Sequence, residues 1–111
     1  MPATRYAYFI GRPIEGQSEQ FMQELSAIVT GFSTLPGVKS AQLERPYYFE
    51  SDELDIYAAV RLSFDSPKDI DAALATTRRQ ELRAQFAERV KPLFEGVITH
   101  INYEGDEHIQ G

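Results

Sequence analysis

The chain contains no cysteine. That excludes disulfides, thiolate nucleophiles, iron–sulfur clusters and cysteine-based zinc sites together. It suits a reducing cytoplasm, which is the expected location. Tryptophan is also absent. No apolar run approaches the ~18 residues of a membrane-spanning helix. No basic segment followed by an apolar stretch opens the chain, so a signal peptide is not expected. Positive charge is scarce: 11 basic against 17 acidic residues leave a net charge of −6. Phosphate neutralisation supplies most nucleic-acid affinity, so nucleic acid is not an expected partner. The same balance disfavours an anionic membrane surface.

What is present is an ordinary globular composition, 42% hydrophobic and 25% charged over 111 residues, enough for one small core. We expect a single domain over 1–104 and a loose tail over 105–111 carrying His108. Residues 5–13, "RYAYFIGRP", read as a strand ended by Gly11 and Pro13. Ser18 reads as a helix N-cap, with Phe21, Leu25, Ile28 and Phe32 on one helical face. "LPG" at 35–37 stops that helix, and residues 38–49 read as a second strand in which Pro46 marks a bend or an edge. "LDIYAAVRLSF" (54–64) is a third strand. "SPKD" (66–69) opens a helix by strong rules: a Ser66 cap, Pro67 at the first position and Asp69 in the first turn. One helix over 67–91 spans about 37 Å at 1.5 Å per residue. That is long for so small a domain, and Thr76–Thr77 is the expected break. Residues 96–104 form a fourth strand.

The order strand, helix, strand, strand, helix, strand is the split βαβ, or ferredoxin-like, pattern. It predicts an α+β domain whose four-stranded antiparallel sheet carries both helices, the second broken, on one face. The other face then lacks a cover. Tyr57, Ala59, Arg61 and Ser63 alternate with the apolar set of the third strand, and that second set is neither greasy nor well solvated. Such a face on a monomer marks an interface or a ligand site. A second copy packed sheet to sheet is the simplest cover, giving a homodimer around a barrel-like space. Tyr57, Arg61 and Ser63 from the third strand and His100 and Asn102 from the fourth are expected to line that space.

With this pattern the sequence resembles the EthD-like proteins of the dimeric α+β barrel superfamily. The resemblance runs over residues 5–104. Its most specific stretch is "VRLSFDSPKDIDAAL", supported by the "RP" after the first strand and the "LPGV" entering the second. It implies a homodimer and a small protein of a catabolic, ether-degradation type. Such a protein acts without a cofactor on a small hydrophobic or aromatic metabolite held between sheet and helices. If catalytic, it is a cofactorless isomerase, lyase or monooxygenase. Muconolactone isomerase-like and monooxygenase-like activities belong to the same superfamily. Many EthD-like sequences carry a histidine in or after the first helix; here "SEQFMQELSAIVTGFSTLPGV" has none.

Among individual residues, His100 can exchange protons near neutral pH. The blander reading is a histidine hydrogen-bonded in the wall. Arg61 needs a partner on its face: a ligand carboxylate or carbonyl, or a local acid such as Glu44. Arg45 invites the same two readings. Tyr8 and Tyr57 can line an aromatic-friendly cavity or simply pack. The acidic run Glu50, Asp52, Glu53 and Asp55 reads as a solvated turn, so no metal is expected. "RRQELR" (78–83) reads as a solvated mixed-charge helix face. Two rivals to an enzyme remain: a non-catalytic binding or interaction module, and a haem-binding relative, for which a strand-borne His100 is a poor axial ligand.

Overall fold

The structure, a computed structural model, describes residues 1–106. The tail over 105–111 and its His108 therefore lie almost wholly outside the described residues. β1 (Ala3–Pro13), β2 (Ser40–Glu44), β3 (Ile56–Phe64) and β4 (Phe94–Glu104) form one antiparallel sheet in the order β2-β3-β1-β4. α1 (Ser18–Phe32), α2 (Pro67–Leu74) and α3 (Thr77–Arg89) pack on one face, and a single 3-10 turn, Lys91–Leu93, leads into β4.

The break in the second helical region has a local cause. Ser66 caps α2, its hydroxyl accepting from the Asp69 N–H at 3.4 Å and donating to the Asp69 carboxylate at 3.2 Å. Eight residues later the chain leaves the helix, and Thr76 caps α3 in the same way, accepting from the Arg79 N–H at 3.1 Å. Ser18 differs from its expected role: it is the first helical residue, and Gln17 before it makes no side-chain cap. The second strand is much shorter than expected, because it leaves the sheet at Arg45–Pro46 and the aromatic stretch Tyr47–Phe49 runs free of the ladder. Proline removes a ladder donor, which fits that exit.

The core lies between sheet and helices. Phe9, Phe21, Leu25, Ile70, Leu82 and Val90 are its largest fully buried side chains. Gly31 lets α3 approach α1, since a Cβ there would meet Leu82. At the far end of the sheet Gly11 and Gly96 face each other across β1 and β4 with φ of 134° and 145°. A Cβ on either would strike backbone carbonyl oxygen on the opposite strand.

The molecule is a thin slab, 18 Å along its shortest axis. That accommodates two layers, sheet and helices, and leaves the other sheet face bare.

Candidate functional site

Strand pairing decides which candidate residues meet. Opposite Arg61 on β3 stand Tyr6 on β1 and Gln42 on β2. Beyond Tyr6 stands Ile101 on β4. These residues, with Ser63, Tyr8 and Tyr103, occupy the open face. The same ladder puts Ala7 opposite His100 and Arg5 opposite Asn102. Ala7 stands opposite core Val60, so His100 and Asn102 belong to the helix side. The expected grouping of His100 and Asn102 with Arg61 and Ser63 is therefore corrected. Alternation along each strand holds, but the side of β4 had been matched to the wrong side of β3.

Tyr57 is a second correction. The β1–β3 register shifts between Phe9 and Ile10, which pair with Ala58 and Ile56. Tyr57 is the extra residue of this bulge. Its ring turns from the Arg61 face and packs against Phe21 at 5.8 Å and Phe94 at 6.4 Å. Arg45 joins it there, the guanidinium 4.3 Å from the ring centroid and Nε donating to the Tyr57 carbonyl at 3.1 Å. Tyr57 and Arg45 thus meet each other but neither Arg61 nor His100.

On the open face Arg61 finds local partners. It donates to Gln42 and lies 3.7 Å from Glu44, the acid expected for it, while its Nε is buried with no hydrogen-bond partner among the described residues. Tyr8 stacks on Tyr6 at 5.3 Å and shares a 3.0 Å hydroxyl contact with Tyr103. Loss of water, then the bond to Tyr103, pushes the Tyr8 phenol well above its ordinary range. A phenol so placed is a poor acid. Ile101 and Tyr103 are exposed beside this cluster, 43% and 45% respectively. Together they make the apolar patch that needs a cover.

A hollow of about 420 Å³ lies on this face beside Tyr6, Tyr8 and Ala59, and the larger cavity is on the other side. A cleft of about 920 Å³ opens between the β1–β4 half of the sheet and helices α1 and α3. It exists because the helices leave the helix-side surface of β4 bare: beyond Phe94 only Ile98 is part-buried. Its floor and wall are apolar, from Phe9, Leu25, Ile28, Phe32 and Phe86. Its polar groups are cationic or basic: Arg5, Arg79, Arg83, Lys91 and His100. No acidic residue lines it among the described residues.

These arginines are hidden in the sequence, where residues 78–83 read as a solvated mixed-charge face. Within that run Arg78 alone is ion-paired among the described residues, 3.9 Å from Glu81. Arg79 and Arg83 stand four apart on the face that also carries Leu82, Phe86 and Val90. Cations sharing a helix's apolar stripe were the available signal.

Arg5 donates to Asn102 at 3.0 Å. Burial, then repulsion from Arg79, holds its pKa below the ordinary arginine value. His100 is exposed at the rim, yet its surroundings push its pKa below the usual histidine value. Lost hydration is the largest cause, followed by the positive charges of Arg5, Arg79 and Arg83. A neutral imidazole beside guanidinium groups can accept a proton, and those groups can hold the anion that results. Among the described residues no cluster of three His, Asp or Glu could hold a metal ion. Among those residues no helix is long and apolar enough to cross a membrane.

Comparison with known proteins identifies the fold. No protein-family model matches the chain. No curated protein matches it by sequence. Solved structures match over nearly their full length. An ethyl tert-butyl ether degradation (EthD) family protein from Bacillus halodurans superposes with a TM-score of 0.72 at 13% identity, covering 96% of this chain and 100% of that one. A DABB family protein with a ferredoxin-like fold from Mesorhizobium loti gives 0.69 at 15%, covering 96% and 100%. A cofactor-independent oxygenase from Streptomyces nogalater gives 0.65 at 14%, covering 99% and 98%. The fold is therefore ferredoxin-like α+β, shared with an EthD family protein. At these identities the likeness covers the fold and leaves the chemistry to the site.

Proposed function

We propose that this chain is an EthD-like protein that pairs with a second copy through its open sheet face and works on a small apolar or aromatic metabolite in the helix-side cleft. The work is proton transfer. His100 takes a proton from an acidified C–H or O–H of the bound molecule. Arg5, Arg79 and Arg83 stabilise the negative charge left on it. His100 later returns the proton, to the same atom or to a neighbouring one.

The observation that carries this reading is a histidine at the mouth of an apolar cleft, its pKa lowered by lost hydration and by the arginines beside it, with no acid among the described lining residues. A general base needs to be unprotonated at working pH, and this surrounding favours that form. The cleft size falls within the ~300–1,000 Å³ typical of small-molecule sites.

Support for the dimer is separate. It rests on the bare aromatic face and the 18 Å slab. A Bacteroides fragilis protein of the same fold, with a TM-score of 0.62, is itself described as dimeric.

A binding module without chemistry is the rival reading, and the exposure of His100 favours it. Incubating the protein in D₂O with a panel of small aromatic and branched ketones, lactones and phenols separates the two. The account expects enzyme-dependent deuterium uptake at carbon, read by mass spectrometry, that falls by about 10²-fold or more in His100→Asn, the scale of general-base catalysis. Uptake unchanged in that variant removes the proton-transfer role.

A further inference from the structure

The cleft's charge is at odds with the rest of the molecule. The chain carries −6 overall, yet the cleft is lined by three arginines and a lysine with no acidic side chain among the described residues. The ion pairs on the described surface involve Arg12, Lys39, Arg61 and Arg78, and none involves Arg5, Arg79 or Arg83. Like charges gathered at a partly dehydrated site repel one another unless something negative sits between them. Their mutual repulsion is visible in the way Arg79 depresses Arg5.

The acidic run at 50–55 is not placed to supply that charge. It belongs to the β2–β3 connection, whose neighbours Pro46, Tyr47 and Tyr48 line the open sheet face with Tyr6 and Tyr8. The cleft lies on the opposite face, against the edge strand β4.

Building on the cleft as the ligand site, we propose that its ligand is a small organic anion, a monocarboxylate with an aromatic or branched apolar body. The headgroup sits among Arg5, Arg79 and Arg83, and the body lies against Leu25, Ile28 and Phe86. Guanidinium groups match a carboxylate two bonds at a time. The cleft's apolar floor would waste inorganic phosphate, which has no body to bury. Nucleic acid would meet a surface that carries net negative charge outside the cleft. The charge also fits the chemistry above: an arginine cluster that fixes a carboxylate leaves a neighbouring C–H within reach of His100.

The test uses a matched pair of probes, 2-naphthoate and the uncharged 2-naphthalenemethanol. The chain has no tryptophan, so Phe86→Trp places a single indole in the cleft as a fluorescent reporter. Calorimetric titration of the unaltered chain runs in parallel, in case the reporter disturbs the fold. The expected result is a Kd for naphthoate at least ~10-fold tighter than for the alcohol. Arg79→Gln and Arg83→Gln each weaken naphthoate by ~10-fold or more and leave the alcohol unchanged. Raising salt from about 20 mM to about 500 mM weakens only the acid. Equal binding of acid and alcohol, indifferent to the glutamine variants, overturns the anion assignment while leaving the cleft as a ligand site. Failure of both probes to bind either protein overturns both.

Discussion

His100 reports on its surroundings through its proton. In the unfolded chain it titrates near ~6.5, and in the folded protein its midpoint lies lower because water is withdrawn from it and the positive charges of Arg5, Arg79 and Arg83 lie near it. Between the folded midpoint and ~6.5 the unfolded chain therefore holds more protons than the folded one. Stability falls as pH drops through that window and is fully present above it. Urea midpoints measured across that range should show the loss in the unaltered protein and a flatter profile in His100→Asn. An NMR titration with the His100 midpoint at or above the ordinary value contradicts the electrostatic account. At this scale the sequence was informative about type and poor about company. Arg61 and Ser63 share a face as alternation required, and Glu44 is the acid beside Arg61. His100 was placed with the wrong neighbours, since nothing in a lone strand says which of its sides joins the core. Tyr57 was misplaced by one bulge, invisible to a period of two.

Elements were far more legible. Capping chemistry carries through: Ser66 with Pro67 begins α2 where expected, and the Thr76–Thr77 break separates α2 from α3. A hydroxyl at an N-cap offers its acceptor to a free backbone N–H whatever the tertiary context, so such signals survive folding. Edges of the sheet were less legible. β2 pairs over only Ser40–Glu44 although branched and aromatic residues continue to Phe49, because strand propensity needs a partner to satisfy it. β4 and β1 each gain residues at one end, Phe94–Glu95 and Ala3–Thr4, that propensity alone did not claim. The arginines of α3 were hidden for a related reason. A mixed-charge run reads as solvated until the edge strand beneath it proves uncovered.

At the scale of the molecule, one layer of helices serves a sheet with two faces. The covered face holds the core and the cleft; the bare face carries Tyr6, Tyr8, Ile101 and Tyr103, where the proposed second copy would pack. Light scattering should give a mass of about 25 kDa, twice the 12.6 kDa chain. Ile101→Lys places a charge in the middle of that face and should shift the equilibrium toward 12.6 kDa. A monomer at high concentration in the unaltered protein removes the dimer from the account. Arg61, Ser63, His100 and Asn102 were expected to line one space between paired sheets, and the strand register puts the first two and the last two on opposite faces. Which face takes the ligand is therefore the central question. It is answered by a map of backbone amide shifts as 2-naphthoate is added to the isotopically labelled protein. The account predicts shifts gathered on Arg5, Arg79, Arg83, Ile98 and His100, on the helix side. Shifts gathered instead on Tyr6, Tyr8, Arg61 and Ser63 would place the ligand between the sheets and contradict it.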